Sequence, residues 1–146
     1  MKNKSAYEYA IFLLGKFSYT EKALIEKLNS KNFTEKEIYK TIKTLKEHKY
    51  INDNEYAYRF VEKMIDKCFG KNYILLRLKE KGIQEQTAEK TFNLLLKEKH
   101  LTEYDIALKI IKKKSNYKPE KVVRLIKSRG FSQEVIDRIV YKFFNH

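Results

Sequence analysis

Apolar residues recur along the chain at intervals of three and four, which is the spacing of amphipathic helices and differs from the strict alternation of strands. The clearest series are Ile38, Ile42 and Leu45; Ala88, Phe92 and Leu95; and Ile136, Val140 and Phe143. Between these series lie Lys and Glu residues, which favour helices, and the chain has only four Gly and one Pro. The pattern therefore predicts an all-α protein.

One helical segment occurs three times in the chain. The copies read LIEKLNSKNF from Leu24, ILLRLKEKGI from Ile74 and VVRLIKSRGF from Val122, so their starts are 50 and 48 residues apart. Repeats of this length are typical of a small helical unit that buries its apolar face against its neighbours. Because an amphipathic stretch also precedes and follows each copy, we predict an elongated, curved array of three tandem three-helix repeats, spanning residues 1–52, 53–101 and 102–146.

The same position near the end of each copy holds Asn32, Gly82 or Gly130. Helices often end at a residue in the left-handed conformation, which Gly adopts freely and Asn tolerates, and the next apolar residue then packs back on the last turn. That apolar residue is Phe33, Ile83 or Phe131. The pattern predicts a tight joint between two helices in every repeat.

The residues after these joints predict where the next helices begin. Thr34 and Glu37 have the spacing of a capping box, and Ser132 is a second good N-cap residue. Gln84 is a weaker start in the second repeat. Pro119 is expected in a first helical turn, where its missing N–H costs no hydrogen bond.

A strong positive charge is the second feature of the chain, which has 32 Lys and Arg residues, 19 Asp and Glu residues, and a formal net charge of +13. The three predicted repeats carry +5, +2 and +6. This charge favours a polyanionic partner. The densest cluster lies in the third repeat and comprises Lys109, Lys112, Lys113, Lys114, Lys118, Lys121, Arg124, Lys127 and Arg129. An alternative is that these side chains form a solvated lysine face with no partner.

Aromatic residues are abundant, with eleven Tyr and nine Phe, and in an exposed position they provide stacking surfaces for single-stranded bases. Those on the apolar stripes are predicted core residues: Tyr56, Phe60, Phe92, Phe131 and Phe143. The candidates for exposed contacts lie near the turns before the repeated helix: Phe69, Tyr73 and Tyr117.

Nothing in the sequence resembles a catalytic or metal site. His48, His100 and His146 have no ligand-spaced partners, and the four glycines are too isolated to form a phosphate-binding loop. We therefore expect neither an enzyme nor a cofactor. Cys68 is alone, and the apolar run from Tyr9 to Leu14 is too short for a signal peptide or a membrane span. These features predict a cytoplasmic protein.

A family resemblance adds to this interpretation. The stretch Tyr50-Ile51-Asn52-Asp53-Asn54-Glu55-Tyr56-Ala57, with Phe60, Gly70 and Lys81-Gly82-Ile83 after it, resembles the central block of the RecX family of recombinase regulators. Thr20-Glu21 with Leu24 resembles the N-terminal repeat of that family, and Arg129-Gly130-Phe131-Ser132 resembles its C-terminal end. The similarity covers nearly the whole chain, through the order and spacing of the motifs.

The resemblance implies a monomeric regulator of DNA repair, homologous recombination and the SOS response. Such a protein would lie in the groove of a RecA filament on single-stranded DNA and inhibit strand exchange and repressor cleavage, with weaker contacts to double-stranded DNA. We expect the contacts to filament and DNA to come from basic residues of the second and third repeats: Arg59, Arg77, Lys79, Lys81, Lys113, Lys114, Lys118, Lys121, Arg124, Lys127 and Arg129.

Composition alone favours a different function, namely an autonomous helical module that binds nucleic acid without sequence preference. The two hypotheses differ in their dependence on a partner. A filament regulator acts at concentrations where its binding to naked DNA is weak, whereas an autonomous module needs no recombinase.

Overall fold

The computed structural model of the chain describes residues 4–144, and these residues form helices and connecting turns without any strand. The helices are α1 (Ala6–Leu14), α2 (Glu21–Ser30), α3 (Glu35–Glu47), α4 (Asp53–Asp66), α5 (Lys71–Glu80), α6 (Glu85–Glu98), α7 (Glu103–Lys113), α8 (Pro119–Ser128) and α9 (Gln133–Ile139), followed by a π-helical turn (Val140–Phe144). The predicted all-α class is confirmed. None of the helices within residues 4–144 has the length and apolar character needed to cross a membrane.

Three helices fall within each of the three predicted repeats, although the division of the chain into repeats stays a prediction. Backbone contacts group the residues into two compact units. The first unit comprises Met1–Tyr56 with Lys81–Ile83, and the second comprises Ala57–Glu80 with Gln84–His146. Helix α4 therefore begins in the first unit and continues in the second.

The core of the first unit is formed by the apolar faces of α1, α2 and α3. Its buried members are Ala6, Ala10, Leu13, Leu24, Leu28, Ile38, Ile42, Leu45 and Ile51. They come from the three- and four-residue spacing of the sequence, so burial of this stripe accounts for the amphipathic pattern.

The second unit has a core built in the same way from α4 to α9. Its most completely buried side chains include Val61, Ile65, Ile74, Leu78, Phe92, Leu95, Ile106, Ile126 and Ile139. In α8 the buried residues are Val122 and Ile126, which leaves the opposite face of that helix to the solvent.

The left-handed joints are confirmed at all three predicted positions. Asn32, Gly82 and Gly130 have φ values of 64°, 88° and 75°. After the second and third joints, Ile83 and Phe131 are buried, as expected for apolar residues that pack on the preceding helix.

Helix starts agree with the sequence in most places. Thr34 and Glu37 form the predicted capping box, with the Thr34 N–H donating to Glu37 at 3.0 Å. Gln84 makes no capping hydrogen bond through its side chain, and Pro119 is the first residue of α8. Ser132 does stand before α9, but its side chain does not cap that helix, because its hydroxyl donates to Glu103 Oε1 at 2.7 Å. The prediction of a good side-chain cap there is wrong.

Three of the five predicted core aromatics are only half-buried. Phe92 and Phe131 are buried as expected, whereas Tyr56, Phe60 and Phe143 are intermediate. In α4, the buried stripe runs through smaller neighbours such as Ala57 and Val61, which places the two rings at its edge. The change to a π-helical turn after Ile139 alters the helical period, so Phe143 does not continue the buried stripe of α9.

Candidate nucleic-acid interface

Six of the predicted contact residues lie on α7, α8 and the turn between them, and we call them the basic surface: Lys113, Lys114, Lys118, Lys121, Arg124 and Lys127. All except Lys114, which is half-buried, are exposed. Arg124 and Lys127 project from α8 opposite its buried residues Val122 and Ile126. The structure thus places the most basic part of the sequence on two successive helices of one compact unit.

Tyr117 lies within the basic surface and is 38% exposed. The Nζ atoms of Lys121 and Lys114 are 4.2 and 5.1 Å from the centre of its ring. An aromatic face between two ammonium groups is suited to a nucleotide, because a base stacks on the ring while the lysines contact phosphate. Tyr117 therefore has the exposure expected of it from the sequence.

The other two aromatic candidates, Phe69 and Tyr73, stack on each other with ring centres 4.1 Å apart and planes inclined by 19°. An arginine adjoins each ring: the Arg129 guanidinium is 4.8 Å from Phe69, and the Arg77 guanidinium is 5.0 Å from Tyr73. The structure thereby brings the predicted residues Arg77 and Arg129 into one stack. Both rings are half-buried, so the prediction that they are exposed contacts is wrong, and each ring packs against an arginine.

The two arginines of this stack donate hydrogen bonds to different acceptors. Arg129 donates through Nη1 to the carbonyl oxygen of Lys67 at 2.6 Å, which fixes its side chain against the protein. Arg77 forms an exposed ion pair with Glu80 at 2.7 Å, and this hydrogen bond raises the pKa of Arg77 above its ordinary value. A guanidinium has five N–H donors, so each arginine keeps donors for a phosphate or a carboxylate.

The remaining predicted residues are spread over other elements. Arg59 lies on α4 and Lys79 on α5, and both side chains are exposed. Lys81 belongs to the first compact unit, where its carbonyl oxygen accepts a 2.6 Å hydrogen bond from the Thr20 hydroxyl while its side chain is exposed.

An open cleft of about 430 Å³ lies beside α8, and it was not predicted from the sequence. Its lining consists of Pro119, Glu120, Val123, Arg124, Lys127, Val140 and Phe144. Two members of the basic surface, Arg124 and Lys127, thus border an apolar floor. The sequence gives only a weak indication of this cleft, because its apolar residues Val123 and Val140 lie at the edge of the apolar stripes of their helices.

No group of three or more His, Cys, Asp and Glu side chains in the described part of the chain is arranged to hold a metal ion. His48 and His100 are exposed at helix ends, and His146 lies outside the described residues. Cys68 is buried and has a φ of 63°, so it has the left-handed conformation of a residue that ends a helix.

A second cluster of aromatic and lysine side chains lies around α1 in the first unit and was not predicted from the sequence. Phe12 and Lys16 lie at the end of an apolar-rich helix of modest charge, and no repeat motif marks them.

Comparison with known proteins identifies the relatives of the chain. No protein-family model matches it. It is 31% identical over 137 residues to the regulatory protein RecX of Caldanaerobacter subterraneus subsp. tengcongensis, covering 92% of this chain and 68% of the relative. It is 32% identical to RecX of Clostridium botulinum strain Eklund 17B, with 94% and 68% covered, and 30% identical to RecX of Chlorobium phaeobacteroides, with 94% and 95% covered.

Solved structures agree with these relatives. The crystal structure of RecX from Lactobacillus salivarius matches with a TM-score of 0.74 and 27% identity, covering 94% of this chain and 93% of that one. A second crystal structure of regulatory protein RecX matches with a TM-score of 0.75 and 25% identity, covering 94% and 72%. The described fold, the identity with several relatives and the shared length together show that this chain belongs to the RecX family of regulatory proteins.

Proposed function

We propose that the chain regulates the RecA recombinase by binding in the groove of the RecA filament on single-stranded DNA, where it inhibits strand exchange and repressor cleavage. The observation that carries the proposal is the basic surface on α7 and α8 in a chain that belongs to the RecX family. Such a regulator acts in the cytoplasm as a monomer, and it works by occupying a surface, without bond chemistry of its own.

The residues of this chain supply two kinds of contact. The lysines of the basic surface are flexible point charges, which neutralise phosphates and release condensed counterions. Arg77 and Arg129 present planar guanidinium groups that are positioned by Phe69 and Tyr73, which suits paired hydrogen bonds to a phosphate or to a carboxylate of the recombinase. Several weak contacts on one polymer strengthen each other through effective concentration.

A second candidate function is the autonomous nucleic-acid-binding module. The observation that favours it is Tyr117 between Lys114 and Lys121, since a ring flanked by cations binds a base and its phosphates without any recombinase.

The test of the proposal adds the full chain, at less than one molecule per recombinase subunit, to RecA on single-stranded DNA. Strand exchange and repressor autocleavage are measured together. We expect inhibition of both, and we expect the triple variant K113E/R124E/K127E to need about tenfold more protein for the same inhibition, because three cations that face phosphates or carboxylates become anions.

The matched control is the triple variant K36E/K40E/K43E, which changes three exposed lysines of α3 and gives the same net charge. It should inhibit like the unchanged chain. Absence of any effect on filament activities, together with tight binding to naked DNA, would contradict the proposal and support the autonomous module.

A further inference from the structure

Helix α1 presents an aromatic ring to the solvent between two lysines. Phe12 is 43% exposed, and the Nζ atoms of Lys4 and Lys16 are 4.1 and 4.5 Å from the centre of its ring. The buried face of α1 is formed by Ala6, Ala10 and Leu13, so Phe12 is not part of the core.

A second ring and a third lysine continue this surface. Tyr9 has its ring centre 6.4 Å from that of Phe12, with the planes inclined by 22°, and the Nζ of Lys31 is 5.7 Å from the Tyr9 ring. Tyr9 is also 6.2 Å from Phe33, and both of these rings pack against the core of the first unit. The surface therefore combines an aromatic part held by the core with cations on long, flexible side chains.

The three lysines come from separate places in the sequence: before α1, after α1 and at the joint between α2 and α3. Single exposed aromatic residues are common on proteins and need no explanation. Here, however, folding gathers three cations around two neighbouring, nearly parallel rings, and this combination is the one that single-stranded nucleic acids require, with a π surface for each base and a positive charge for each phosphate.

We propose that Phe12 and Tyr9 stack with successive bases of a single-stranded nucleic acid while Lys4, Lys16 and Lys31 contact its phosphates. A base that stacks on Phe12 displaces an ammonium group from the ring face, and the displaced lysine then reaches the backbone of the strand. This contact is separate from the basic surface and needs no recombinase.

One acidic side chain, Glu8, lies on the same helix. Its carboxylate accepts a 3.1 Å hydrogen bond from the Ser5 N–H, and the backbone and side chain of Ser5 lower its pKa, so it stays charged at neutral pH. The combined positive charge of the three lysines exceeds the single negative charge of Glu8. An acidic peptide would satisfy the lysines but would offer nothing to the ring faces, and the nine residues of α1 form a short anchor for a membrane surface. A single-stranded nucleic acid offers phosphates to the lysines and bases to the ring faces.

The direct test uses the absence of Trp from the chain, since F12W introduces a single reporter at the site. Titration of full-length F12W with oligothymidylate should quench its fluorescence, because a base stacks on the indole. Titration with an abasic strand of the same length should quench it little. Tyr39 is 71% exposed on α3 in the same unit, so Y39W is the matched control and should not respond to either strand.

Affinity measurements complete the test. We expect F12A to bind oligothymidylate about tenfold more weakly than the unchanged chain, the loss typical of one base–aromatic stack, and to bind the abasic strand equally well. Y39A should bind both strands unchanged. Because Phe12 is outside the core, F12A should keep the melting temperature of the unchanged chain.

Three results would overturn the proposal: equal quenching of F12W by the two strands, unchanged affinity of F12A for oligothymidylate, or an F12A-sensitive binding to anionic vesicles without any effect on oligothymidylate. Each leaves the RecA proposal standing, because no recombinase is present in these titrations.

Discussion

Gly82 and Gly130 meet two separate demands, whereas Asn32 meets only one. All three residues have positive φ values. A Cβ atom at Gly82 would lie 2.6 Å from the Cβ of Lys22, and one at Gly130 would lie 2.5 Å from the backbone nitrogen of Tyr73. Glycine is thus required at these two joints both for the left-handed backbone and for the close approach of another helix.

We predict that G82A and G130A each lower the free energy of unfolding by about 2 kcal/mol, since the left-handed penalty of about 1 kcal/mol is joined by a steric clash. Thermal melts followed by circular dichroism measure the loss. G15A is the matched control, because Gly15 has a φ of −70° and its added Cβ would meet nothing closer than 3.5 Å.

The control should be unchanged or slightly more stable, and N32G should stay within about 0.5 kcal/mol of the unchanged chain. Equal losses of stability in G15A and G82A would contradict a specific requirement for glycine at the joints.

The sequence identified the joints marked by Gly or Asn, but other left-handed residues could not be recognised from it. Lys49, Cys68 and His100 have φ values of 60°, 63° and 54° at the ends of α3, α4 and α6. Residue type gives no signal at Lys49 or Cys68, and the enrichment of His at positive φ is the only such signal at His100. Each conformation belongs to a local helix end, since the N–H of the next residue donates back to the helix: Tyr50 to Leu45 at 2.8 Å, Phe69 to Met64 at 3.0 Å and Leu101 to Leu96 at 2.9 Å.

At the scale of helices, one hydrogen bond recurs in both units. Asp53, the first residue of α4, accepts a 2.9 Å hydrogen bond from the N–H of Glu21, the first residue of α2. Glu103, the first residue of α7, accepts one of 2.9 Å from the N–H of Lys71, the first residue of α5. The sequence separation is 32 residues in both cases, so a carboxylate at the start of one helix caps a helix of the preceding predicted repeat.

Pro119 occupies the equivalent first position in α8. A proline has no N–H, so α8 needs no carboxylate at this point.

Glu103 makes more of these bonds than Asp53, because it also accepts from the N–H of Ser132 at 3.0 Å and from its hydroxyl at 2.7 Å. One carboxylate thereby holds the starts of α5 and α9 together. Since all three bonds involve partly buried groups, removal of the carboxylate leaves backbone donors without partners.

We predict that E103A lowers the free energy of unfolding by about 2 to 3 kcal/mol, and E103Q by about 1 kcal/mol because its amide keeps one acceptor oxygen. E134A, at an exposed glutamate in the first turn of α9, should change it by less than about 0.5 kcal/mol. Urea unfolding of the three variants measures their free energies of unfolding and so tests this order. A stability of E103A equal to that of E134A would contradict the bridging role.

The sequence explains Thr34 and Glu37 fully, because a capping box is local and its two residues are three apart. It explains Asp53 and Glu103 only as acidic residues in a first helical turn. Their actual partners are 32 residues away, so no local motif predicts the bonds, although Asp53 and Glu103 are 50 residues apart, the spacing of the first two copies of the repeated segment. The prediction for Ser132 is wrong for the same reason, since the carboxylate that accepts from its hydroxyl comes from another helix.

At the scale of the molecule, the division into compact units decides which experiments are meaningful. A truncation near Lys99 would remove the most basic of the three predicted repeats, but the second unit comprises Ala57–Glu80 together with Gln84–His146. Such a truncation cuts through this unit, and it removes Glu103 from the start of α5. A drop in activity would then report unfolding as much as the missing charge, so substitutions in the full chain are the better test.

Charge along the sequence indicates a basic face on α7 and α8, and all members of the basic surface except Lys114 are exposed, whereas their contact with a filament or with DNA stays a prediction. The aromatic rings that pack against the basic side chains cannot be predicted from charge. Tyr117 was expected to be exposed, but the pairing of Arg77 with Tyr73 and of Arg129 with Phe69 depends on how helices meet in the second unit. The cluster around Phe12 depends equally on the fold of the first unit.

Nucleic-acid binding by this chain can depend on its net charge of +13 or on the arrangement of particular residues, and salt dependence separates the two. Binding driven by net charge treats all exposed lysines alike, so K113E/R124E/K127E and K36E/K40E/K43E would weaken it equally. Binding through the basic surface is weakened only in the first variant, because counterions are released where side chains meet phosphates.

For single strands, the slope of log affinity against log salt should become less steep by about 0.7 for each phosphate that is no longer neutralised, or by about 2 for three phosphates. Titrations of single-stranded DNA between about 50 and 200 mM salt measure this slope for both variants. We expect the flatter slope in K113E/R124E/K127E alone, because its three substitutions lie on α7 and α8 within the basic surface. Equal slopes in the two variants would mean that the basic surface is an ordinary solvated face.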